Sequence, residues 1–184
     1  MARMDLMTAL SNVGACEEAK RWLAAERLRA PMATKSQERW DACQRGDWML
    51  WLAAKANVDR KRVVMAACAC ARLALVHVPA GEMRPLAAIE TAEAWCRGEA
   101  TIEQVKAARD AAWRCPASAA AAAASAAYAA YADAAAYAAA YAASAAASAA
   151  GRSSTLARCA DEVRKRIAWS EVERGLYLAA GGVL

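Results

Sequence analysis

Phenylalanine is absent from this chain, and histidine occurs once, at His77. Without Phe, the bulk of any core falls to seven tryptophans and a scatter of Leu, Val and Met. With a single His, a metal motif of the Glu-x-x-His kind cannot be completed: Glu90 and Glu93 stand at that spacing, but no His follows them. His77 itself precedes Val78 and Pro79 and reads as a neutral side chain with a local partner. A Ser/His/Asp or Cys/His system needs the base to meet a nucleophile, and nothing in the spacing shows that. Also missing are Cys-x-x-Cys, G-x-G-x-x-G, G-x-x-x-x-G-K and G-x-S-x-G. These absences lead to the expectation of a protein that is not an enzyme, with no catalytic residue, no cofactor and no metal.

Val and Ile are few and period-two alternation is absent, which excludes a sheet protein. No segment carries a dense basic stripe. The net charge of +5 comes from 24 Lys and Arg interleaved with 19 Asp and Glu, which argues against nucleic acid as a partner. The seven cysteines are odd in number and fall mostly among Ala and Val, where a free thiol acts as a small buried hydrophobe. Cys68 and Cys70 lie about 200° apart around a helix and do not face one metal. Free thiols and an N-terminus without a long apolar run point to the cytoplasm.

What is present is helical almost throughout, in a length suited to one domain, 1–184. Cys16 to Arg29 forms an amphipathic pattern carrying Trp22 and Leu23. Thr34 and Gln37 make a capping box before a short helix with Trp40. Asp47 is placed to cap DWMLWLAAKA, in which Trp48, Trp51 and Leu52 share a face; these rings read as core rather than as a binding platform. Asp59 opens a helix whose stretch from Val63 to Val78 has only Arg72 and His77 as polar residues, so it is expected to run buried at the centre. Arg84 to Arg97 turns Ile89, Ala92 and Cys96 inward and ends at Gly98. Thr101 and Gln104 form a second box, ahead of a stripe of Ile102, Val105, Ala108 and Ala112. Leu156, Cys159, Ala160, Val163 and Ile167 make another stripe. Ser170 and Glu173 suggest a third box, and 179–184 should fray.

Residues 117–150 are nearly all Ala, interrupted by Ser, by four Tyr and by Asp133. Ala is the best helix former and the tract has no internal Pro or Gly, so disorder is a poor reading. Asp133 and the weak hydrophobicity of Ala argue against a membrane span. An ice-binding rod needs a regular row of groups, whereas Tyr128, Tyr131, Tyr137 and Tyr141 are spaced 3, 6 and 4. One straight helix would reach ~50 Å, against a domain radius of gyration of roughly 16 Å. Asp133 is the point for an N-cap or kink if the helix is not straight. The methyl surface allows close approach by neighbours. At about 100° per residue, Tyr128 and Tyr131 fall on one side and Tyr137 and Tyr141 nearly opposite. The expectation is an all-α, compact multi-helix bundle around a long alanine-rich helix and a buried Cys/Ala-rich helix.

Several stretches occur together in order: GDWMLWLAAKANVDRK, ACACARLALVHVPAGEMRPLAAIETAEAWCRGEATIEQV, the Ala/Tyr tract, and LARCADEVRKRIAWSEVE. In this combination the chain, over about 47–173, resembles the alanine-rich, immunity-protein-five-like family of bacterial immunity proteins of polymorphic toxin systems; residues 1–45 are less characteristic. The resemblance implies an all-helical protein that neutralises a cognate protein toxin by stoichiometric binding, and it brings no catalytic residues. A basic chain does not suit a basic nuclease, so the implied target is neutral or acidic, or meets a local acidic patch near Glu82, Glu90, Glu93 and Glu99. Tyr128, Tyr131, Tyr137 and Tyr141 are the other candidate contacts. The alternative is a non-enzymatic helical scaffold or oligomerisation protein of phage or mobile-element origin, in which exposed Tyr on a flat Ala face packs against a second copy.

Overall fold

Asp59 starts the central helix as its spacing requires. Its carboxylate accepts from the Arg62 backbone N–H at 3.1 Å, and from Val63 onward nearly every residue is buried. In the computed structural model, which describes residues 6–29, 36–132, 134–150 and 152–179, this element is α5, Arg60–Arg72. The other helices are α1 (Leu6–Asn12), α2 (Glu17–Arg29), α3 (Ser36–Ala42), α4 (Gly46–Lys55), α6 (Arg84–Arg97), α7 (Ile102–Trp113), α8 (Ala120–Tyr128), α9 (Ala135–Ala150), α10 (Arg152–Arg164) and α11 (Trp169–Ala179). Among the described residues there is no strand. The protein is an all-α bundle in which α5 packs against α4, α6, α8, α9 and α10.

The central helix is shorter than expected. After Arg72 the backbone tightens, Leu73 N–H bonding Cys70 at 3.1 Å and Ala74 N–H bonding Ala71 at 3.0 Å, and Leu75–His77 forms a 3₁₀ turn. Pro79 sets the far limit: it holds Val78 in extended backbone, φ −84° and ψ 134°, so no helix continues to that residue. His77 and Val76 therefore lie exposed rather than in the core.

The alanine tract is two helices, not one rod. It leaves the helical path after Tyr128 through i→i−3 bonds (Ala130 N–H to Ala127, Tyr131 N–H to Tyr128), and α9 turns back against α8. Asp133, the expected kink point, lies outside the described residues. Folding back resolves the length conflict, because a single rod would project past its neighbours and leave methyl groups in water. As a pair, α8 buries Ala120 and every residue from Ala122 to Ala127, and α9 buries eight of its alanines.

Two glycines set the approach of the outer helices. A Cβ on Gly46 would stand 2.5 Å from Cys159 Cβ, and one on Gly175 would stand 1.7 Å from the Ala56 carbonyl oxygen. The start of α4 thus lies on α10, and α11 lies on the end of α4. Thr101 and Gln104 form the expected capping box, and Gly98 ends α6 at φ +83°. The last helix differs: α11 begins at Trp169, and Glu171 rather than Glu173 reaches back, accepting from Ala168 N–H at 3.3 Å. The box at Thr34 and Gln37 lies outside the described residues, since Thr34 is not described; the Gln37 side chain donates to Asp41 at 2.9 Å. No helix among the described residues is long and apolar enough to cross a membrane.

Candidate functional site

The short helix α4 places Trp48 and Trp51 one turn apart, and neither is fully buried. Trp48 meets Trp22 of α2 edge-on, with ring centroids 6.2 Å apart, and Trp51 meets Tyr137 of α9 at 6.5 Å and 70°. Trp40 of α3 lies against Trp169 of α11 at 5.8 Å. Between these pairs is a cleft of about 450 Å³, lined by five of the seven tryptophans together with Tyr137 and Tyr141. Arg164 holds one wall in place by donating to the main-chain carbonyls of Trp40 at 3.2 Å and Cys43 at 2.8 Å.

Asp47 is the buried acid of this cleft. It was expected to cap α4, but Gly46 is already helical and no side-chain cap forms. The carboxylate instead receives a two-pronged contact from Arg45, Nε to Oδ1 at 2.9 Å and Nη2 to Oδ2 at 2.8 Å. Ser144 of α9 donates to Oδ2 at 3.3 Å. Arg45 also bonds Glu18 at 2.8 Å and stacks 3.9 Å over the Trp48 ring. Its pKa is raised, first by the hydrogen bond to Asp47, so the guanidinium stays charged and the Asp47 charge is balanced on the spot. The Cys43 thiol in the cleft wall is pushed up by burial, which keeps it protonated and a poor nucleophile.

A second aromatic cluster lies on the surface between α7 and α8. Tyr128 and Tyr131 pack edge to face, 5.2 Å apart. Arg109 donates from Nε to the Tyr131 hydroxyl at 2.8 Å and lies 4.9 Å over the Tyr128 ring. Lys106 Nζ sits 5.4 Å from the Tyr131 ring. Lys106, Arg109 and Trp113 share one face of α7 by their spacing, and Trp113 is 60% exposed.

The structure keeps the four tyrosines as two pairs, one in this cluster and one on the cleft. The carboxylates behave differently. Glu82 pairs with Arg84, Glu93 receives both prongs of Arg72 at 2.9 and 2.7 Å, and Glu99 accepts from Arg97 at 2.7 Å. Glu90 is exposed, and its charge adds to that of Glu93 in raising the Arg72 pKa. Glu82 is held down at about 2, first by the hydrogen bond from the Arg84 side chain. Three of these four acids thus meet an arginine of the same chain, and the group carries little net negative charge.

The seven cysteines are free. Cys68 and Cys70 are buried, donating toward the carbonyls of Ile89 and Cys159 at 3.9 and 3.7 Å. Burial raises the Cys68 pKa, and the hydrogen bond with Cys159 raises that of Cys70. No three His, Cys, Asp or Glu side chains converge as metal ligands among the described residues.

Sequence reasoning missed the cleft. Trp48 and Trp51, expected in the core, are half-buried against it and also wall an opening. Their spacing on one face is a usable signal, as is Arg45 two residues before an acid, but the convergence of Trp22, Trp40 and Trp169 is a long-range fact. No family model, no curated protein and no solved structure matches this chain.

Proposed function

We propose that this chain is an immunity protein, a stoichiometric inhibitor that binds a cognate bacterial toxin in the cytoplasm and covers a surface the toxin needs. The reading draws on the resemblance over 47–173 and on one observation, the Arg109–Tyr128–Tyr131 stack beside the exposed Trp113. Trp, Tyr and Arg are the residues that dominate binding energy at protein interfaces. Here the two rings and the guanidinium already hold one another, so docking costs little side-chain freedom. Arg109 also meets Asp110 at 2.9 Å, so Lys106 supplies the cluster's net positive charge, which favours a toxin with an acidic face and fits a chain of net charge +5.

The test is co-expression with the product of the adjacent gene, scored by growth, with capture of the purified complex. The inhibitor restores growth and forms a one-to-one complex. Arg109→Ala and Tyr128→Ala each weaken that complex about 30-fold, the equivalent of ~2 kcal/mol, while leaving the fold intact. Growth arrest that persists in the presence of this protein, with no complex recovered, sinks the reading.

A further inference from the structure

We propose that the tryptophan cleft is a binding site for a neutral, planar, mostly apolar small molecule of two or three rings, carrying one hydrogen-bond donor that points at Asp47. This goes beyond toxin binding and stands without it. Size comes first. An apolar cavity of about 150 Å³ holds benzene, so about 450 Å³ admits a molecule roughly three times larger. That volume also falls within the range of small-molecule pockets, ~300–1,000 Å³. The lining rings favour a flat ligand, which can meet them by offset or edge contact. Water in such a cleft finds few hydrogen-bond partners on ring faces, so an apolar ligand displaces it favourably.

Charge decides between a neutral ligand and a cation. Aromatic cages commonly take cations, but these rings already have the chain's own. Arg45 lies 3.9 Å over Trp48, and Lys55 Nζ lies 5.7 Å from the Trp51 ring and 5.5 Å from Tyr137. Arg39, which itself lines the cleft, adds a further positive charge that repels a bound cation. Arg45 is shared between Asp47 and Glu18, and Arg39 lines the same cleft as Asp47, so Asp47 already meets cations of its own chain. It does offer an acceptor. Each carboxylate oxygen has two lone pairs; Oδ2 receives Arg45 and Ser144, whereas Oδ1 receives Arg45. The remaining lone pair on Oδ1 suits one N–H or O–H of a ligand.

N-phenyl-1-naphthylamine has this chemistry: three rings, no charge and one N–H. Titrated into the full-length protein, it should bind one-to-one with a rise in its own emission and quenching of tryptophan emission. A quaternary ammonium dye of the same size should bind at least tenfold more weakly. Ala140 lines the cleft from α9. Ala140→Trp fills it and should abolish dye binding with far-ultraviolet circular dichroism and melting temperature unchanged, and Ala140→Leu serves if the larger residue disturbs the fold. Arg109→Ala should leave dye binding intact, and Ala140→Leu should leave toxin rescue intact, so each proposal can fail alone. The inference is overturned if the folded protein shows no saturable binding, if binding survives in folded Ala140 variants, or if the cationic dye binds equally well.

Discussion

The alanine half of this molecule and its tryptophan end are built from opposite extremes of side-chain size. Around α5, the helices α8 and α9 present methyl groups, and the backbones close until almost nothing is left between them: Ala122, Ala123, Ala126, Ala139, Ala142 and Ala143 are all fully buried. At the other end, α2, α3, α4 and α11 present indoles, which touch at edges and tilted faces and leave a cleft of about 450 Å³. Small side chains pack a volume solidly because they impose no shape of their own. Large rigid rings hold helices apart wherever no complementary surface meets them. A cleft therefore falls where the bulky residues are, although bulky residues are the usual core fillers.

The comparison breaks most severely within the tryptophan end, where α11 meets α4. Gly175→Ala puts a Cβ on the Ala56 carbonyl and prises α11 from α4. A loss of about 3 kcal/mol is expected, read as a fall in melting temperature of about 9 °C for a chain of this size. An unchanged melt would mean that α11 does not lie on α4. Next come two neighbours with opposite outcomes. Ala139→Leu enters the sealed methyl interface and should cost about 2 kcal/mol, whereas Ala140→Leu, one residue on, extends into the cleft and should change stability by less than ~0.5 kcal/mol. Equal effects in paired denaturant titrations would erase the distinction between the halves.

A smaller loss is expected for Asp47→Ala, about 1.5 kcal/mol, because Arg45 and Ser144 lose their shared acceptor. Asp47→Asn should recover part of it in the same melts. The smallest effect is a control belonging to neither half. Glu82 is held at about 2 in the folded chain against an ordinary value of 4.5. Its pairing with Arg84 therefore favours the fold above pH 4.5, and that contribution fades as pH falls from 4.5 toward 2. A carboxyl titration by NMR should find the midpoint near 2 and raise it only partway toward the ordinary range in Arg84→Met, which keeps the backbone N–H bond of residue 84 to Glu82.

Features fixed by a few adjacent residues were legible in the sequence. Asp59, Thr101 with Gln104, and Gly98 each satisfy helix-end groups within one turn, and the structure has them in those roles. The buried character of α5 followed from its missing polar face. That the alanine tract breaks was not legible, since a run of helix formers reads as one rod and Asp133 offered only a place for a kink; the neighbours that must be packed decide that it folds back. The fate of Asp47 was hidden because its partners compete with the cap, one of them Ser144, 97 residues away. Among the candidate acids, the partner of Glu93 was hidden because Arg72 is 21 residues away and its reach across to α6 is a tertiary fact, whereas the arginines that meet Glu82 and Glu99 stand two residues off.

The turn between α8 and α9 has one more consequence. A surface of identical methyl groups does not distinguish its correct alignment from one displaced by a helical turn of ~5.4 Å. Sliding is opposed by the rare polar rivets that reach the tract: the Arg60 bond to the Ala130 carbonyl on one flank and the Ser144 bond to Asp47 on the other. Those sparse side chains act as index marks on an otherwise featureless ruler, and one of them sits in the cleft, so whatever occupies the cleft also reads the alignment of the helix beneath it.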